Sequence, residues 1–182
     1  ARNLGIKADL PEVPSLALGV ASVPLREMTA AYATIANEGK KVEPYALLSI
    51  ENSKGEQLDI FEVPGPPKSK VDPENCRILV DMLRAAVDEG TGNAIRSKYK
   101  VAGQFAGKTG TTQDYADGWF IGFSPDLTAG CWVGADDPSI HFRNMAYGQG
   151  GFMALPVVGR FFSQTYSDSR FKALSGNQFA SP

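Results

Sequence analysis

Apolar residues change their spacing several times along this chain, and each change marks an element. Leu25, Met28, Tyr32 and Ile35 recur at helical spacing. Ser22 offers an N-cap and Pro24 suits the first turn, so a helix is predicted there. Gly39 ends it, with Lys40 and Lys41 at its negative end. A second helix is predicted from Asp72 and Pro73, with Cys76, Leu79, Val80, Leu83 and Val87 on its apolar face and Glu89-Gly90-Thr91-Gly92 as its stop. A last helix over residues 154–166 carries Leu155, Val158, Phe161 and Phe162. Between the helices the text turns β-prone. Residues 45–50 and 57–61 read as a hairpin around Asn52-Ser53-Lys54-Gly55. Residues 105–112 read as a strand that returns over 117–123, and Ser124-Pro125-Asp126 turns into another over 127–134. Residues 1–21 read as loop, 63–67 as a stiff proline-rich connection, 135–151 as a long polar loop, and 167–182 as a frayed tail. Three sequential antiparallel strands with packed helices give an α+β class.

The strand over 105–112 carries the densest candidate chemistry. Phe105-Ala106-Gly107-Lys108-Thr109-Gly110-Thr111-Thr112 places a lysine and three hydroxyls between glycines. Glycine weakens a strand, so two of them imply close approach of a ligand or another backbone. Alternation puts Lys108, Gly110 and Thr112 on one face and Thr109 and Thr111 on the other. As an edge strand it would leave the backbone of Gly110 and Thr111 open to an extended peptide, with Lys108 and the threonine hydroxyls meeting negative charge.

Composition narrows the function classes. The 182 residues are 43% hydrophobic and 21% charged, ordinary globular values, and a net charge of −2 gives no support for nucleic-acid binding. No apolar run is long enough to span a bilayer, so no membrane contact is expected of these residues. The opening Ala1-Arg2-Asn3-Leu4-Gly5-Ile6 reads as mid-domain text. Cys76 and Cys131 have no metal-ligand spacing, and His141 has no partner for a zinc site; free thiols and a loop histidine are expected, with no metal or cofactor. Gly103 to Thr109 falls one residue short of a phosphate-binding loop, with Trp132-Val133-Gly134-Ala135-Asp136-Asp137 as a loose magnesium-site mimic. A phosphate loop must open a helix, and the residues after Lys108 are β-prone. Nucleotide binding is therefore the weaker alternative, and a non-catalytic interaction module is the other.

Several further motifs stand in order. Gly90-Thr91-Gly92, Gly107-Lys108-Thr109-Gly110-Thr111-Thr112, Asp117-Gly118-Trp119-Phe120-Ile121-Gly122 and Trp132-Val133-Gly134 together resemble the transpeptidase domain of class A penicillin-binding proteins. Pro24-Leu25-Arg26-Glu27-Met28 with Ala31-Tyr32-Ala33, and the closing Gly150-Gly151 with Ala154-Leu155-Pro156-Val157, fit the same pattern. The resemblance implies that 1–166 is the C-terminal half of such a domain: three C-terminal strands of a penicillin-binding, serine β-lactamase-like fold, incomplete without upstream strands. That family combines Ser-x-x-Lys, Ser-x-Asn and Lys-Thr-Gly. Only the third is expected to be genuine here. Ser97-Lys98-Tyr99-Lys100, Ser169-Arg170-Phe171-Lys172 and Ser175-Gly176-Asn177 match the other two literally but stand in the wrong places, so the nucleophile is expected before Ala1.

For chemistry, the resemblance implies a serine acyl-enzyme on peptidoglycan stem peptides, with β-lactams acylating the same serine. Lys108 would meet the terminal carboxylate. Thr111 would give its backbone N–H to an oxyanion hole and its hydroxyl to substrate, and Gly110 would leave room. Thr109, Thr112, Asp117 and Trp119 are the further substrate-side candidates, although a structural role on the returning strand fits Asp117, Trp119 and Phe120 better, and Trp132 reads as a core aromatic. Gly90-Thr91-Gly92 would shape the cleft rim or simply cap a helix. The resemblance also implies an extracytoplasmic location with an upstream membrane anchor. An uncovered sheet edge would permit self-association.

Overall fold

The computed structural model describes residues 1–61 and 71–182. The predicted connection over 63–67 lies outside them. The fold centres on a three-stranded antiparallel sheet in the order β3 (Ala106–Thr111), β4 (Asp117–Phe123), β5 (Thr128–Gly134). Gly110 stands opposite Trp119, and Trp119 opposite Trp132. Both β3 and β5 are edge strands. No sheet here closes into a barrel, and the α+β expectation holds.

Helices cover the two faces of this sheet. On the back, α6 (Leu155–Ser167) buries Leu155, Val158, Phe162 and Tyr166 against Phe105, Phe120, Val87 and Ile95. Phe162 meets Phe105 edge-to-face with centroids 4.7 Å apart, a favoured aromatic geometry. The helix α2 (Pro73–Asp88) sets Cys76, Val80 and Leu83 against Ala106, Phe123 and Ile35. These positions follow the predicted stripe, with one exception. Leu79 is 37% exposed, because 76, 80, 83 and 87 already fill the face that reaches the sheet. On the front, α1 (Leu25–Ala36) approaches β5 so closely that a Cβ at Gly130 would collide with Thr29.

Ends of helices follow the predicted chemistry at α2 and depart from it at α1. Asp72 caps α2, its Oδ1 accepting the Glu74 N–H at 2.8 Å, with Pro73 at the first position. At α1 the cap residue is Pro24 and no side chain caps the turn; Ser22 lies outside. The Pro24 carbonyl accepts from Glu27 and Met28, and an extended ψ of 137° delays the helix past the proline. Gly39 ends this segment in the left-handed region (φ 79°), beneath the Val71 carbonyl. Arg77 of α2 then grips Glu38 at 2.8 Å.

Elsewhere the differences are informative. The small hairpin pairs β1 (Ser49–Glu51) with β2 (Gln57–Ile60), shorter than predicted, and its Ile50, Leu58 and Ile60 are exposed. A short α3 (Ala94–Ser97) follows α2. Two single-turn helices, α4 (Met145–Gly148) and α5 (Gly150–Met153), occupy the predicted long loop. The tail is not frayed. Leu174 packs on the main core, Phe179 meets Phe123 at 5.7 Å, and the Phe179 N–H donates to Gln104 Oε1 at 2.8 Å. Apolar residues spaced too widely for helix or strand gave no periodic signal for that packing. Cys76 and Cys131 are free, and burial pushes both thiols upward in pKa. Among the described residues no helix is long and apolar enough to cross a membrane.

Candidate active-site groove

A groove of about 840 Å³ opens on the front of the sheet. One wall is Lys108 to Thr112 with Asp117, Trp119 and Trp132; the other is the segment 16–23 with Met28 and Tyr32 of α1. Lys108 is exposed there, and its Nζ donates to the Thr109 carbonyl at 2.9 Å. Among the described residues no carboxylate lies within ion-pair distance of it. A cation on an edge strand with only a carbonyl partner keeps donors free for an anionic ligand. Gly110 lies flat against Trp119: a Cβ added to it would sit 3.1 Å from the Trp119 Cβ, filling the floor between lysine and indole.

Thr109 and Thr111 point the other way, as alternation requires. Thr109 Oγ1 lies 2.8 Å from Thr91 Oγ1. Thr111 Oγ1 accepts the Gly150 N–H at 3.1 Å. No twist or bulge turns their side chains to Lys108, since β3 pairs with β4 residue by residue from Ala106 to Thr111. Both threonines still line the groove. The Thr112 hydroxyl closes the hairpin, accepting the Asp117 N–H at 3.0 Å. In the turn beyond it, Asp114 and Tyr115 both hold positive φ, at 62° and 58°, a strained pair of the kind that concentrates beside functional sites.

Asp117 joins the two indoles of the wall. Its Oδ2 accepts from Trp119 Nε1 at 3.3 Å and from Trp132 Nε1 at 3.0 Å, while Oδ1 is buried with no partner among the described residues. Trp132 is thus 36% exposed on the front face and not a core aromatic, which alternation from Cys131 would have revealed. Phe120 is fully buried on the back and plays a core role. Sequence reasoning also missed Thr91 and Gly150 as partners of the strand. The Gly90-Thr91-Gly92 triplet was visible, but its contact to β3 is not a local property.

Ser22 lines the groove, whereas the serines of the literal motif matches and the histidine lie elsewhere. Ser97 Oγ donates to the Asn93 carbonyl at the end of α3, and Ser175 Oγ to the Lys172 carbonyl. Neither they nor Ser169 line the groove. His141 is exposed and sits beside the Phe142 carbonyl. Gly107 and Lys108 lie inside β3, which returns as β4 after a single 3-10 turn, so no α-helix opens at the lysine and the nucleotide-binding alternative has no phosphate cradle there.

Comparison with known proteins agrees with this geometry. Residues 12–138 match the family model described as penicillin binding protein transpeptidase domain. Penicillin-binding protein 1A of Aquifex aeolicus is 41% identical over 143 residues, which is 79% of this chain and 19% of that protein. The crystal structure of penicillin-binding protein 1A from Haemophilus influenzae superposes on the whole chain with a TM-score of 0.80 at 24% identity, covering 31% of that chain. PonA1 of Mycobacterium tuberculosis, solved in complex with penicillin V, superposes over the whole chain and 50% of its own with a TM-score of 0.69 at 20% identity. This chain spans about a fifth of the length of the curated relatives it matches. With the Lys-Thr-Gly strand at the edge of its sheet and 70% of its length inside one family model (127 of 182 residues), the chain belongs to the penicillin-binding protein transpeptidase domain family.

Proposed function

We propose that this chain supplies the Lys-Thr-Gly wall of a peptidoglycan D,D-transpeptidase of class A type. The observation that carries the reading is Lys108, held on an open strand edge above a groove with no carboxylate in ion-pair distance among the described residues. A serine from a segment N-terminal to this one attacks the D-Ala-D-Ala carbonyl of a stem peptide. The tetrahedral intermediate expels D-Ala, and an amine of a neighbouring stem takes the acyl group. Lys108 attracts the terminal carboxylate, and the Thr111 N–H faces the developing oxyanion. Gly110 lets the substrate backbone come close. Trp119 and Trp132, pinned by Asp117, form the floor along which the peptide lies. Thr109 and Thr112 act on the strand and its turn; their hydroxyls are taken by Thr91 and by the Asp117 backbone. β-Lactams acylate the same serine. Such chemistry belongs outside the cytoplasmic membrane, with the whole enzyme anchored there. Edge strand β5 offers a route to pairing between copies, which sedimentation at rising concentration tests.

Fluorescent penicillin tests the reading. The full-length protein containing this sequence takes the label covalently, and the chain of 182 residues alone does not. Label mapped to Ser97 or Ser169 would overturn it, as would a full-length protein that takes none.

A further inference from the structure

The groove carries an unbalanced charge of each sign. Lys108 meets a backbone carbonyl, and the Asp117 carboxylate meets two indole N–H groups. Neither has an opposite charge within ion-pair distance among the described residues. Asp117 lies across the hairpin from Thr112, its N–H donating to that hydroxyl, and Thr112 comes four residues after Lys108. At 3.3–3.4 Å per residue the two charges stand about 13 Å apart along the strand. Between them lie ring faces. Trp119 is opposite Gly110 and Trp132 opposite Trp119, so both indoles share the face that carries Lys108. An indole offers a cation the negative face of its ring, and donating its N–H to a carboxylate polarises the ring further. Asp117 Oδ1 has no partner among the described residues, which leaves part of that charge uncompensated.

We propose that Asp117, Trp119 and Trp132 form a subsite for an alkylammonium group on the same peptide whose terminal carboxylate sits at Lys108. The inference rests on the transpeptidase reading above. The direction of the peptide follows from burial. Ala106 and Gly107 are buried and outside the groove, which runs from Lys108 to Thr112. A peptide with its carboxylate at Lys108 therefore runs antiparallel to β3, its earlier residues toward Thr112 and Asp117. The third residue from its C-terminus lies about 7 Å along that path. A lysine-length stem covers the remaining distance to the indoles, and a much shorter one does not. The ammonium rests on a ring face, within about 6 Å of its centroid, with the Asp117 charge behind the indoles. A neutral amide in its place keeps the apolar contact and loses the electrostatic one.

The test is protection of the full-length enzyme from fluorescent penicillin by peptides ending in L-lysyl-D-alanyl-D-alanine. The free-amine peptide should protect at about three- to tenfold lower concentration than its Nε-acetyl form, the range of a partly exposed cation–π contact. Diaminopropionate in place of lysine keeps the charge on a shorter stem and should lose the advantage. In Asp117→Asn, which keeps an oxygen for the indoles without the charge, the ratio between amine and acetylated peptides should fall toward unity. Equal protection by these two peptides in the wild-type enzyme overturns the proposal, and this comparison needs no variant to fold. An undiminished ratio in an Asp117→Asn enzyme that still takes the label overturns it too. If the wild-type enzyme takes no label, the transpeptidase reading itself falls; if it labels and the peptides do not differ, only the subsite falls.

Discussion

Replacing Asp117 by alanine isolates the device that holds the groove wall. Its Oδ2 receives two indole N–H groups, and those indoles are the only two tryptophans in the chain. The bond from Trp132, at 3.0 Å, has normal geometry; the one from Trp119, at 3.3 Å, lies just beyond the usual N–H···O range. A hydrogen bond to a charged group contributes about 1.5–3 kcal/mol. Exposure of Trp132 lets water replace part of that, and the buried, unpartnered Oδ1 is a penalty that alanine removes. The net loss expected is therefore about 1–2 kcal/mol. Urea unfolding followed by tryptophan emission measures it, because the same indoles report both the local change and global unfolding. The Asp117→Ala variant should show a shifted native emission maximum and a lower midpoint with an unchanged slope. Asp117→Asn, which can keep a side-chain oxygen on the indoles, should lose less than half as much. An unchanged spectrum and midpoint for the alanine variant would refute the clamp.

Two other expectations come from the fold. Gly39→Ala places a Cβ at φ 79° and against the Val71 carbonyl, so it should destabilise by at least about 1–2 kcal/mol, the left-handed penalty alone; equilibrium unfolding with no change in midpoint would contradict this. Glu27 accepts backbone N–H groups from Lys7 and Ala8, which hold its carboxyl below the usual glutamate range. A depressed folded pKa means that its stabilisation is complete above the unfolded value and disappears as pH falls through the lower folded one. Glu27→Gln should therefore flatten part of the acid limb of stability against pH, and an NMR titration giving an ordinary glutamate pKa would exclude the effect.

Legibility in the sequence tracked how local each determinant is. The three strands, α2 with its Asp72 cap, and α6 were readable because period and caps are set by near neighbours. Alternation along β3 separated Lys108 from Thr109 and Thr111, whose hydroxyls meet Thr91 and the Gly150 N–H. What escaped notice is held by contacts distant in sequence. The partners Thr91 and Thr109 are 18 residues apart, Thr111 and Gly150 are 39 apart, and Phe179 reaches Gln104 across 75. Single-turn helices such as α4 and α5 are too short to show a period, and their glycines read as loop. Ser22 failed as a cap because Pro24 delays the helix, a backbone effect that outranks a side-chain preference.

The most direct test of the account is the acylation rate of Lys108→Ala in the full-length enzyme, measured with fluorescent penicillin beside its melting curve. Lys108 is exposed and makes one backbone hydrogen bond, so folding should be unaffected. The acylation rate should fall by about 100- to 1,000-fold, the scale of losing one donor that stabilises transition-state charge. Acylation at the wild-type rate with the fold intact would contradict the account.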